Sequence, residues 1–120
     1  MPFHYLLTNL LVDVPGAQGA AFLDSEGESV EFVSRGATPF ELKLEGAYHG
    51  IFLRQARQLL DTFGGGELER ISIAGTAMKV MSQSLRDNYY LVLILEPGAP
   101  VDAASAAIRR TVDALNREIP

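Results

Sequence analysis

Between the polar turn Arg86-Asp87-Asn88 and the breaker Pro97-Gly98-Ala99-Pro100 runs YYLVLILE, apolar at every position from Tyr89 to Leu95. Successive side chains of a strand point to opposite faces, so a strand with no polar face has to be covered on both. The run is far too short to cross a bilayer. It is therefore expected in the middle of a sheet with helices on both faces, and the other elements must be arranged around it.

Phe3, Leu6, Leu7, Leu10, Leu11 and Val14 recur at helical spacing before Pro15-Gly16, which predicts helix one. GAAFLD and VEFVS flank Ser25-Glu26-Gly27-Glu28, a turn in which Gly27 can take a positive φ, and so predict a hairpin of strands one and two. Arg35 to Pro39 reads as a loop. Phe40 to Glu45 alternates apolar and polar residues, and whether it is a short extra strand stays open. From Gly46 to Phe63 a stripe of Tyr48, Phe52, Ala56, Leu59, Leu60 and Phe63 predicts helix two, terminated by Gly64-Gly65-Gly66. LERISIAG and AMKVMSQSL form a second hairpin about a tight turn at Gly75-Thr76, with YYLVLILE as its third strand. Asp102 is placed to cap helix three, whose buried stripe is Ala104, Ile108, Val112, Leu115 and Ile119.

The chain is thus α/β, in the order α-β-β-α-β-β-β-α, around a central five-stranded antiparallel sheet with helices on both faces. With strand five central, strand one is the better neighbour from the first hairpin, because strand two carries Glu28 and Glu31. The expected sheet order is 2-1-5-4-3. Strand three has Ile71 and Ile73 on one face and Arg70 and Ser72 on the other, and is the edge expected to pair with a partner. A chain of 120 residues is expected to be one domain, 1–120, with one core.

The net charge of −5 and the lack of any Lys/Arg cluster argue against nucleic acid, whose binding needs several cationic contacts. No membrane insertion is expected, and the N-terminus lacks the basic start of an export signal. Zero cysteines remove disulfides and thiol chemistry together and fit a cytoplasmic protein. No catalytic constellation is visible: His4 and His49 have neither an i, i+4 partner nor the carboxylate spacing of a metal site, and no G-x-S-x-G elbow occurs. Asp24, Glu26 and Glu28 read as solvated acids at a hairpin tip. Gly64-Gly65-Gly66 follows a helix and precedes a strand, the reverse of a phosphate-binding loop. The expectation is a non-enzymatic protein with no cofactor.

The element order, the three helix positions, and the strings VPGAQGAAFLD at the first strand and YYLVLIL at the last resemble the Roadblock family, also called the dynein light chain family, a profilin-like architecture. The resemblance covers residues 3 to 118. It implies a symmetric homodimer in which strand three pairs with its mate and the two copies of helix two lie side by side. It also implies a partner or GTPase-activating regulator of a small Ras-like GTPase, as in bacterial gliding-motility systems, or an adaptor in motor and signalling complexes.

On helix two, Arg54, Arg57, Gln58 and Asp61 form a polar face, and Leu53 stands outside the apolar stripe. It lies beside Arg57 and beside Gly46 and Gly50, whose four-residue spacing lets another backbone approach. Gly46, Gly50, Leu53 and Arg57 are assigned to a dimer seam, joined by Arg70, Ile71, Ser72 and Ile73 of strand three. Ile51, Arg54, Gln58 and Asp61 are assigned to a GTPase-binding surface. The plain alternative is a solvated face with one stray leucine, the two glycines being loop or first-turn residues. Arg54 and Arg57 sit mid-helix, whereas an arginine finger is normally presented from a loop. The competing function is a profilin-like or PAS-like sensory module holding a small ligand between sheet and helices. Phe22, Phe32, Phe52, Phe63 and Met81, expected to fill the interior, argue against it.

Overall fold

The computed structural model describes residues 2–35 and 39–119, with side chains described for 3–35 and 51–119. The elements are α1 (Pro2–Asp13), β1 (Ala17–Leu23), β2 (Ser29–Ser34), α2 (Pro39–Thr62), β3 (Arg70–Ala74), β4 (Lys79–Ser84), β5 (Tyr90–Leu95) and α3 (Val101–Glu118), with a tight turn at Arg86–Asn88. The strands form one five-stranded sheet in the order β2-β1-β5-β4-β3, with every pairing antiparallel. This is the topology expected from the doubly apolar strand, and β5 is its centre.

Register sorts the sheet's side chains into two cores. Ala20, Leu93 and Met81 stand in one row across β1, β5 and β4, and all three belong to the large core shared with Leu7, Leu10, Leu11 and Val14 of α1 and Ala104, Ala107, Ile108 and Leu115 of α3. Phe22 joins them, stacked on Phe3 with ring centres 4.6 Å apart and tilted against Tyr89 at 5.3 Å, distances at which aromatic pairs add to simple burial. One residue along each strand, Ala21 and Val92 turn to the other face, where with Leu23, Tyr90 and Leu53 they make a smaller core under α2. Alternation along β5 therefore feeds both layers, which is why none of its positions carries a polar residue.

Phe40 to Glu45 lies within α2, so it is no extra strand. Pro39 opens the helix at a position where its missing N–H is not needed. A six-residue alternation does not separate the two periods, since Phe40 and Leu44 are also four apart. The turn between β3 and β4 falls one residue later than expected: the Gly75 N–H donates to the Met78 carbonyl at 2.8 Å, leaving Thr76 and Ala77 between the pair. Asp102 lies inside the first turn of α3, with Pro100 at the cap and no side-chain cap bond; its charge still favours the positive end of the helix dipole.

Two turns hold the layers in place. Gly16, at φ +84°, follows α1, and a Cβ there would stand 2.8 Å from the Ala99 Cβ. Its carbonyl accepts the Glu96 N–H at 2.8 Å, tying the start of β1 to the end of β5. Between β4 and β5, Asp87 (φ 58°, ψ 30°) and Asn88 (φ 62°) both lie in the left-handed region. That is the geometry of a two-residue turn matched to strand twist, and Asp and Asn are the side chains that tolerate it best after glycine.

Candidate interaction surface

Helix α2 is rotated from the orientation its stripe suggests. Leu53 is 2% exposed and packs onto Ala21, Leu23, Tyr90 and Val92, whereas Phe52, Leu59 and Phe63 are 50%, 59% and 78% exposed. Phe52 and Phe63 are therefore not interior fill; Phe22 and Met81 are buried as expected and Phe32 is half-buried. Leu53 is a core residue and does not face outward into a seam. Tyr48, His49 and the surroundings of Gly46 and Gly50 lie outside the described side chains, although both glycines are within the helix.

The sheet-facing arc of α2 consists of Leu53 with half-buried Ala56, Arg57 and Leu60. Arg57 is admitted to it because its guanidinium lies 5.2 Å over the Tyr90 ring, a cation–π contact that leaves the charge at the rim. Burial pushes the Tyr90 phenol above its ordinary pKa of 10.0, and the positive charge of Arg57 pulls the other way. Of the residues assigned to the GTPase surface, Ile51, Arg54, Gln58 and Asp61 are all exposed. Arg54 donates to the Glu26 carbonyl at 3.3 Å, fixing this flank of α2 against the tip of the β1–β2 hairpin. The tip is itself ordered by Asp24, whose Oδ1 accepts the N–H groups of Glu26 and Glu28, and by Gly27 at φ +86°. The acids there are thus partly structural, an Asx turn that the residue order Asp-Ser-Glu-Gly permits.

The helix ends in a Schellman motif. The Gly65 N–H donates to the Leu60 carbonyl at 2.7 Å, and Gly64 takes φ +64°, which accounts for the glycine run without a phosphate. The chain then passes Leu68 into β3. An open groove of about 580 Å³ lined by Ala56, Leu59, Leu60, Glu69, Arg70 and Ile71 joins this flank of α2 to the start of that strand. On β3, Ile71 packs beneath α2 and Ile73 is 43% exposed on the same face. Arg70 turns to the other face, where its Nε donates to Gln83 at 3.1 Å, and Ser72 is exposed. Beyond β4, no strand among the described residues pairs with β3.

The exposed apolar stripe of α2 and the open backbone of β3 thus lie on one side of the molecule. Position along the helix explains the stripe: Phe52, Leu59 and Phe63 lie on one line, with half-buried Ala56 at its border toward the sheet, and the four-three-four spacing keeps them facing a second helix. Sequence reading saw these residues but gave them to the core. The signal that separates the two roles is Leu53 itself, an apolar residue off the stripe.

Among the described residues, no cluster of three His, Asp or Glu side chains is placed to hold a metal, and no helix is long and apolar enough to cross a membrane. His4 stands alone on α1, its Nδ1 3.6 Å from Glu31 Oε1. The described clefts are open grooves at the rims of the layers, and the space between sheet, α1 and α3 is filled by side chains.

In sequence, no protein-family model and no curated protein matches the chain. In structure it is similar to a Roadblock/LC7 domain from Streptomyces avermitilis, with a TM-score of 0.87 and 16% identity over 96% of this chain and 95% of that one. It is similar to MglB solved in a tetrameric arrangement (TM-score 0.85, 19% identity, 94% and 84% covered). It is also similar to MglC from Myxococcus xanthus (TM-score 0.74, 21% identity, 99% and 100% covered). The fold is that of the Roadblock domain.

Proposed function

We propose that this Roadblock-fold chain is a non-enzymatic regulator or scaffold that pairs with a second copy of itself and, so paired, binds a Ras-like small GTPase. The observation that carries the reading is the coincidence of an apolar helix flank and an unpaired strand edge on one side of the molecule. A second copy related by a two-fold axis covers both at once, helix against helix and β3 against β3, and a self-complementary patch is what a two-fold contact requires. The similarity to MglB, solved in a tetrameric arrangement, supports self-association, and the GTPase is the partner that the resemblance to the Roadblock family implies.

In this reading the seam consists of Phe52, Ala56, Leu59 and Phe63, with Arg70, Ile71, Ser72 and Ile73 along the strand; Gly46 and Gly50, at helical spacing from Leu53, fall on its side of the helix and not on this line. Leu53 and Arg57, turned onto the sheet, drop out of it. Ile51, Arg54, Gln58 and Asp61 occupy the opposite flank of α2, roughly half a turn away from the stripe, and stay accessible in the pair. They are the surface proposed for the GTPase, together with the hairpin tip that Arg54 braces. Arg54 is held by the Glu26 carbonyl and Arg57 by Tyr90, so the proposed role is binding, with no arginine donated to the phosphates.

The test is solution mass by light scattering on the wild type and on Phe63→Arg, followed by calorimetric titration with Ras-like small GTPases from the same genome, loaded with GDP or a GTP analogue. Twice 13.0 kDa for the wild type, half that for the variant, and nucleotide-dependent binding are expected. A monomeric wild type removes the pairing; no heat with any GTPase removes the partner.

A further inference from the structure

The sheet has two edges, β3 and β2, and among the described residues neither pairs with a strand on its outer side. In β2 the Arg35 N–H just beyond the strand donates to Gln18 on β1 at 2.8 Å. By alternation the N–H groups of Val33 and Glu31 point inward to β1 as well, and those of Ser34 and Phe32 point out of the sheet, while Val30 falls at the register shift between Glu31 and Ser29. The outward Phe32 N–H is already engaged: it donates to the carboxylate of its own neighbour, Glu31 Oε1, at 3.1 Å. The same oxygen lies 3.6 Å from His4 Nδ1 on α1. At the end of β2, Arg35 Nη2 donates to the Leu11 carbonyl at 2.6 Å, drawing the chain onto α1.

We propose that Glu31 seals the β2 edge by occupying the Phe32 N–H, and thereby stops sheet extension at two copies. The inference rests on the proposed pairing through β3 for its biological meaning. Two copies joined at β3 present β2 at both ends of a ten-stranded sheet. Were that edge open, β2–β2 and β3–β3 contacts would alternate without closing, and the assembly would be a fibre. A strand added at β2 has to displace the Glu31 carboxylate first and leave it without its N–H beside a new backbone, which disfavours addition.

Glu31→Val and Glu31→Thr remove the carboxylate and leave β-favouring side chains, while Glu31→Gln retains an oxygen that accepts the N–H. Light scattering over a dilution series and amide exchange at Phe32 are measured on all four proteins. Expected are a constant mass for the wild type and Glu31→Gln, and for the Val and Thr variants a mass that climbs with concentration beyond the wild-type value. In dilute solution Phe32 exchanges about fivefold faster in those two variants, the equivalent of one lost hydrogen bond. Unchanged mass and unchanged exchange in both variants overturn the proposal. A monomeric wild type sinks the β3 pairing alone: the seal is then read from whether the Val and Thr variants rise from one copy to two or more, and their staying monomeric refutes it.

Discussion

Truncating Leu53 to alanine separates the core of the protomer from its proposed seam. The side chain is 2% exposed and meets Ala21, Leu23, Tyr90 and Val92, so Leu53→Ala loses its transfer free energy and leaves a void. Such substitutions cost about 2–5 kcal/mol. Among the described residues the core around Leu53 is bordered by half-buried Phe32, Leu68, Ile71 and Val80, which can shift into the space, so about 3 kcal/mol is expected. For a chain of this size that lowers Tm by roughly 12 °C. Leu59→Ala, six residues on and 59% exposed, alters the protomer by less than about 0.5 kcal/mol and acts on association instead. The assay is urea unfolding followed by far-ultraviolet circular dichroism at one fixed protomer concentration, paired with light scattering. Leu53→Ala should move the midpoint at a mass like the wild type's, and Leu59→Ala should lower the mass with a small shift in midpoint. The opposite pattern, dispersal by Leu53→Ala with stability intact, would falsify the inward placement of that residue and restore it to the seam.

Gly16→Ala introduces both a positive-φ strain and a methyl 2.8 Å from Ala99; a loss of about 2 kcal/mol is expected by chemical unfolding, and a loss below half of that contradicts the close approach. Asn88→Gly relieves a left-handed residue in the β4–β5 turn and should raise stability by about 0.5–1 kcal/mol; a lower unfolding midpoint contradicts the turn geometry. Burial raises the Tyr90 pKa in the fold, so the unfolded chain loses its phenolic proton first as pH rises. Its contribution is complete below pH about 10 and is lost above it. Stability should decline through that range more steeply in the wild type than in Tyr90→Phe. Arg57→Met, which removes the opposing charge, should push the phenol's ionisation, read by ultraviolet absorbance, to still higher pH.

How far the chain could be read in advance varies with how many constraints met at each residue. β5 was legible because an apolar residue at every position admits one environment only, and the strand order followed from its centrality and from the acids on β2. Helix α2 was legible as a helix but not in its rotation. Two apolar faces lie side by side on it, one toward the sheet through Leu53, Ala56 and Leu60, the other toward solvent through Phe52, Leu59 and Phe63. A periodicity argument averages them into a stripe that is neither. Arg57 deepened the error, because a charged residue in the inward arc becomes intelligible only with the Tyr90 ring beneath it. At Phe40 to Glu45 a short alternation matched two periods equally. Glu31 was recognised as an acid that marks an edge strand, while its hold on the Phe32 N–H depends on a rotamer that spacing does not encode.

The unequal division of the two cores sets an order of events within the native state. Large buried side chains from α1, α3 and four strands interlock on one face, whereas among the described side chains the second half of α2, 51–62, rests on the other through Leu53 and a few half-buried neighbours. Regions with few buried contacts open at a smaller free-energy cost than the global transition. The amides of this half of α2 should therefore exchange through a partial opening in which the sheet keeps α1 and α3 while the end of the helix lifts away. Since the same half of the helix carries the exposed apolar line, a second copy docking on it would close that low-energy route, and a lightly held segment would become a protected one.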